Sequence, residues 1–168
     1  MPFWSRKESS HPAEMSQQLR AEALTQSAEN LGIVASREHP TVFGILLETG
    51  YSEAVATLAV FAEGSTSLYF SNGGGVIGAG EHESVRATHP PFFAEAEARL
   101  GAFTKASETP LPSDGRVRFY LRTFRGTLTA EALEEDLGEM RHELSDLFHA
   151  GHNVISAVRE ASGDDGAA

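Results

Sequence analysis

The sequence predicts an α+β domain: a five-stranded, mostly antiparallel sheet with helices packed on it, in the order α-βββ-α-ββ-α. Three observations carry this. Three β-favouring apolar runs lie within residues 41–72, joined by connections too short for anything but antiparallel neighbours. A second pair of such runs fills 116–135 and splits at Arg125-Gly126. Around both groups, apolar residues recur at helical spacing.

The elements follow in order. Residues 1–9 are polar apart from Phe3 and Trp4 and read as a flexible segment, its two aromatics docking on the body or on a partner. Ser10 or His11 caps a first helix, Pro12 suits its first turn, and Met15, Leu19, Ala23, Leu24, Ala28 and Leu31 form its apolar stripe. Gly32 stops it. The runs TVFGILLETG (41–50), EAVATLAVFAEG (53–64) and TSLYFSN (66–72) are the meander, with turns at 50–52 and at Glu63-Gly64. EHESVRATH (81–89) is a short helical piece that Pro90 and Pro91 interrupt. A second piece starts there, with Phe93, Ala96, Leu100 and Phe103 on one stripe.

The hairpin RVRFYLRTFRGTLTAEALEE (116–135) has one apolar and one polar face. A two-residue turn at Arg125-Gly126 places Phe124 opposite Thr127, Leu121 opposite Ala130 and Phe119 opposite Ala132. On the other face Tyr120 then meets Glu131 and Arg116 meets Glu135, so the arginines 116, 118, 122 and 125 read as a solvated, self-paired face rather than an anion site. A last helix begins near Ser145 with Leu147, Phe148, Val154, Ile155 and Val158 buried. SGDDGAA (162–168) is a disordered tail, which leaves 10–161 as a single domain.

Composition narrows the function classes. A chain of 168 residues buries roughly 70% of its unfolded surface and needs neither disulfide nor metal to fold. The absence of cysteine removes thiol catalysis and cysteine-bound zinc. A formal charge of −11 repels phosphate backbones and anionic lipid, so neither nucleic acid nor membrane is the expected partner. No apolar run suits a signal peptide or a bilayer span, which points to a cytoplasmic protein.

Three constellations bear on chemistry. In SLYFSNGGGVIGAGEH (67–82), Gly73, Gly75 and Gly78 match G-x-G-x-x-G after a strand. A dinucleotide fold needs a parallel βαβ unit and an acidic residue about 20 positions on; here a meander precedes, and that position is Ala98. An anion nest built on Asn72, Gly73, Gly74, Gly75, Gly78, Gly80 and His82 is the alternative ligand site, opposed by the charges of Glu81 and Glu83. The preferred reading is packing: in an extended run Gly74, Gly78 and Gly80 share a bare face with Val76, open to close approach by a helix or a second copy. Second, HELSD (142–146) begins like a zinc-protease H-E-x-x-H, but Asp146 stands where the second histidine belongs. His142, Asp146 and His149 therefore read as solvated side chains around a helix start, and no metal or other cofactor is expected. Third, His82 beside Glu81 and Glu83 has the makings of an acid–base pair, yet nothing supplies a nucleophile beside it, and no catalytic residue is assigned.

The element order resembles that of the class I type III secretion chaperones and the related YbjN-like proteins. The similar parts are the opening helix ending ENLG (29–32), the meander 41–72, the hairpin 116–135 and the closing helix from Ser145. The resemblance is one of topology and charge and transfers no binding residue; the glycine run departs from it. Roadblock-like domains are similar in size but place two strands before the middle helix and three after. The resemblance implies a non-catalytic, chaperone- or adaptor-like domain that binds another polypeptide and forms homodimers. The alternative is a small-molecule or anion-binding domain, possibly an enzyme, that uses the glycine-rich loop 72–82.

Overall fold

One central strand organises the fold: every residue of β1 (Val42–Gly50) is buried. A strand buried on both faces needs cover on both. The computed structural model describes residues 12–167, with side chains through Gly163, and it shows how that cover arises. The segment 1–9, with Phe3 and Trp4, and the capping pair Ser10 and His11 lie outside the described residues.

Helix α1 (Pro12–Thr25) precedes β1, and β2 (Val55–Phe61), β3 (Thr66–Phe70) and β4 (Gly75–Ile77) follow it. Then come α2 (Glu83–Arg86), α3 (His89–Ala98), β5 (Thr104–Lys105), β6 (Arg116–Thr123), β7 (Gly126–Leu133), α4 (Glu134–Gly138) and α5 (Ser145–Ala167). The expected tail from Ser162 begins within the last helical run. The sheet is antiparallel throughout, in the order β4-β3-β2-β1-β6-β7-β5.

The α+β class stands, but the sheet has seven strands among the described residues, not five. The two extra strands are its edges. Strand β4 lies inside the glycine run and folds back on β3, Gly75 opposite Tyr69 and Val76 opposite Leu68. Strand β5 pairs only Thr104 with Thr129 and Lys105 with Leu128. Runs of two or three residues have no period to read.

The first helix ends at Thr25, earlier than its stripe suggests, and a separate turn follows. Gly32 closes that turn in the left-handed region, at φ +70°. Its N–H reaches the Glu29 carbonyl and that of Ile33 reaches Ala28, the paired bonds of a Schellman motif. At α3 the two prolines occupy the first turn, as the sequence implies.

The β6–β7 hairpin differs by two residues from the sequence reading. Leu121 lies opposite Leu128, Phe119 opposite Ala130 and Tyr120 opposite Thr129, with Phe124-Arg125 as the turn. The Thr123 hydroxyl donates to the Gly126 carbonyl at 2.6 Å and accepts from the Arg125 N–H at 3.2 Å, which fixes the turn one residue early. A two-residue slip preserves the faces. It changes the ion pairs: Glu131, not Glu135, takes Arg116 at 2.9 Å and Arg118 at 3.0 Å.

The apolar face of the sheet carries the larger core. Ile45, Leu47, Leu58, Val60, Phe119 and Leu121 pack there against Phe92 and Phe93 of α3 and Leu147, Val154 and Val158 of α5. The opposite face is not solvated, which corrects the expectation. Phe43, Leu46, Ala59, Phe61 and Tyr120 form a second core with Ala23 of α1 and Ile33. Tyr120 is fully buried and Arg122 only 9% exposed, because α1 crosses this face: Arg122 donates to the Ala23 carbonyl at 2.6 Å.

Candidate functional site

The glycine run is built for shape. Gly73, Gly74 and Gly75 all have positive φ, at 107°, 90° and 143°, and turn the chain from β3 into β4. Within the chain, the packing reading of Gly74 and Gly78 does not hold. A methyl group at either meets nothing within 4 Å, and what each position demands is its φ, +90° and +77°. Close approach belongs to their neighbours. A methyl on Gly73 would lie 2.5 Å from Cβ of Pro12. One on Gly75 would strike the Leu68 carbonyl, and one on Gly80 the Gly64 carbonyl.

The other residues of that stretch are not gathered into one concavity. Asn72 is exposed. His82 is part-buried, with Nε2 3.9 Å from Glu81. The Gly80 carbonyl accepts from Nη1 of Arg86 at 2.6 Å. Gly74 and Gly75 border a cleft of about 190 Å³ beside Met15 and Leu19 of α1. The HELSD residues are likewise engaged locally. Nδ1 of His142 accepts from the Leu144 N–H at 3.0 Å, and Asp146 pairs with Arg99 at 3.2 Å. Among the described residues no group of three His, Asp or Glu side chains is placed to hold a metal ion.

A larger concavity lies elsewhere, a groove of about 790 Å³ between the 37–40 loop, the β2–β3 turn and α3. Pro40, Ala62, Pro90, Phe93, Ala94 and Ala98 give it an apolar floor. Arg37, Glu38, Glu63 and Arg86 stand around it. The fold uses most of the titratable groups within. Oε2 of Glu97 accepts from the backbone N–H groups of Thr41 at 2.9 Å and Val42 at 2.7 Å, holding the entry to β1.

His89 is buried at the N-terminal end of α3. Its Nε2 lies 3.0 Å from the Thr66 hydroxyl, which itself donates to the Gly64 carbonyl at 2.9 Å. With its proton spent there, the hydroxyl accepts from His89, so Nε2 carries the ring proton. Burial, then the charge of Arg86, lowers the His89 pKa to about 4, which keeps it neutral at pH 7. His39 packs edge-on against Phe93, ring centroids 4.6 Å apart, with Nδ1 buried and unpartnered. His39 comes from the 37–40 loop, while His89 and Glu97 stand eight residues apart near the two ends of α3, so no short motif marks the set. The only local hint is a histidine opening a proline-started helix, HPP at 89–91.

A second polar cluster lies under α1. Glu48 on β1 is fully buried and receives Nε of Arg20 at 2.7 Å, Nη2 of Arg20 at 2.9 Å and the Thr57 hydroxyl at 2.7 Å. Nη2 of Arg20 also donates to the Thr109 carbonyl at 2.8 Å, and the Tyr120 hydroxyl donates to that of Pro110 at 2.6 Å. Burial, then Glu48, pushes the Tyr120 phenol up to about 12 and raises Tyr69 as well. Burial opposes the charge of Arg20, but the hydrogen bonds and charge of Glu48 outweigh it and raise its pKa.

No family model, no curated protein and no solved structure matches this chain. The functional reading therefore rests on the site's own chemistry. Among the described residues no helix is long and apolar enough to cross a membrane.

Proposed function

We propose that this chain is a non-catalytic, protein-binding domain of adaptor- or chaperone-like character, acting in the cytoplasm as a homodimer. The observation that carries the reading is the chemistry of the 790 Å³ groove. Its size is that of a ligand site, which typically spans about 300–1,000 Å³. Its floor is apolar, while His89 and Glu97 are committed to Thr66 and to backbone amides. That leaves a shaped, largely apolar surface for recognition.

A polypeptide suits the groove. Phe93 and Pro90 receive one apolar anchor side chain, and a large buried anchor supplies most of the energy of such contacts. Arg37, Arg86, Glu38 and Glu63 meet charges of either sign on its flanks. The unpartnered Nδ1 of His39 accepts from a backbone N–H of the bound segment. Self-association is supported by the open sheet edge at β4, where Ile77 is 61% exposed.

Random-peptide display against the immobilised protein tests the groove. Enriched peptides are expected to carry one large apolar residue flanked by charges. They should bind Ala94→Trp at least tenfold more weakly, since this exposed wall residue then fills the groove without disturbing the core. No enrichment, or undiminished binding to Ala94→Trp, overturns the reading. Sedimentation equilibrium should give twice the chain mass of 18.0 kDa; a monomer across the micromolar range rules out the dimer.

A further inference from the structure

Helix α5 approaches the sheet closely at Gly151; beyond it Val154 and Val158 stay in the core, while the His152–Arg159 face stands off the sheet. The contact is Gly151: a methyl group there would lie 2.5 Å from Cδ2 of Leu47. Past it, a cleft of about 460 Å³ separates the helix from strands β1–β4. The strand registers give this cleft a polarity. Its inner floor is one apolar rung across four strands, Leu47 opposite Leu58, Leu58 opposite Leu68 and Leu68 opposite Val76. The next rung on that face is Thr49–Ala56–Phe70, at the strand ends. Tyr51 stands just beyond it.

The helix supplies the roof. His152, Ile155, Ser156 and Arg159 all line the cleft and lie on one helical face, at i, i+3, i+4 and i+7. His152 roofs the cleft nearest the Gly151 contact, and Arg159 stands about 10 Å further along the axis at the rise of a helix. Among the described residues no carboxylate lines the cleft, in a chain with 24 acidic side chains against 13 basic ones. Glu134 acts on Tyr51, but from outside the lining. Nε2 of His152 is buried and has no hydrogen-bond partner. A buried polar atom left unpaired is costly, so this nitrogen favours a ligand that supplies a partner.

We propose that this cleft is a second binding site, distinct from the peptide groove, for an amphiphilic monocarboxylate: an acyl-chain acid whose tail lies on the leucine–valine rung and whose carboxylate meets Arg159 and the Tyr51 hydroxyl at the mouth. His152 offers the inner polar contact, to a hydroxyl or carbonyl carried along the chain. The acid-free lining and the cation at the open end select the carboxylate. The apolar rung selects the tail.

The test uses the full chain with decanoate, 10-hydroxydecanoate, decanol and decylamine, each below its micelle-forming concentration. Binding is followed by calorimetry and by melting temperature. Decanoate should bind and raise the melting point, decanol should bind at least tenfold more weakly, and decylamine should not bind. Arg159→Gln, a change at an exposed position, should weaken decanoate at least tenfold and leave decanol unchanged. Ile155→Trp should block all of them. 10-Hydroxydecanoate should bind more tightly than decanoate, and His152→Leu should erase that difference while decanoate still binds. Equal binding of decylamine and decanoate, or decanoate binding indifferent to Arg159→Gln and Ile155→Trp, overturns the proposal. So does a melting point that none of the four compounds moves.

Discussion

Arg20 of α1 and Glu48 of the central strand form a bidentate ion pair, Nε to Oε2 at 2.7 Å and Nη2 to Oε1 at 2.9 Å, with the carboxylate completely buried. The pair fastens a helix that buries only Ser16 and Ala23 fully. Arg20→Ala leaves a buried charge without its partner and should cost about 3–5 kcal/mol. Replacing both residues with apolar side chains of similar volume, Arg20→Met with Glu48→Leu, should recover most of that loss. Urea denaturation of the single and double variants measures both, and a single-variant loss below about 1 kcal/mol contradicts the assignment.

The arginines of β6 should separate in stability. Arg122 donates to the Ala23 carbonyl, lies over the Phe43 ring at 5.1 Å and is 9% exposed. Arg118 makes an ion pair nearer the surface with Glu131. Arg122→Ala should therefore cost about 1–3 kcal/mol, from an orphaned carbonyl and lost packing. Arg118→Ala should cost under about 1 kcal/mol. Phe119→Ala on the larger core should exceed both, at about 3–5 kcal/mol. Chemical denaturation ranks the three.

Substitutions in the glycine run should fall into two groups. Gly74→Ala and Gly78→Ala put a side chain at positive φ in open space, costing roughly 1–2 kcal/mol. Gly74→Asn should cost less, because asparagine tolerates the left-handed region. Gly75→Ala and Gly80→Ala drive a methyl group into backbone carbonyls and should be the most damaging of the set. Melting temperatures that rank Gly74→Ala below Gly80→Ala would reverse this assignment.

His89 gives a pH dependence with a definite sign. Its folded pKa is lowered to about 4 from an ordinary value of 6.5, so between these values the unfolded chain binds the proton and the folded one does not. The stability this histidine contributes is intact above pH 6.5 and is lost as the pH falls toward 4. His89→Gln should be less stable at pH 7 but should lose less on acidification. Melting curves of both proteins at half-unit steps from pH 4 to 7 show it as converging lines, and parallel lines would refute the assignment.

The long strands and the proline-started helix were legible because each has a local cause, an apolar run closed by short turns or a proline pair in a first turn. The edge strands β4 and β5 had no such signature. The double cover of the sheet was hidden for another reason. Glu48, Tyr120 and Arg122 are polar side chains that suit a solvated face, and their burial is made tolerable by partners on other segments, Arg20, the Pro110 carbonyl and the Ala23 carbonyl. The need for glycine at 73–80 could be read, but not which glycine is bent and which is crowded, since that depends on Pro12, Leu68 and Gly64. Of the groove residues, His89 and Glu97 share α3, but only the fold brings His39 to them from 50 residues earlier in the chain.

The attachment of α1 has a consequence for the order in which the molecule is made. Arg20 reaches a carbonyl 89 residues later in the chain, and Arg122 reaches back 99 residues to Ala23. On the ribosome the first helix emerges early, but its seat is incomplete until β6 has left the exit tunnel. Contacts of such separation form late, because a long loop must close before they contribute. A nascent chain halted near Gly115 should therefore expose α1 to protease, and one released past Thr123 should protect it.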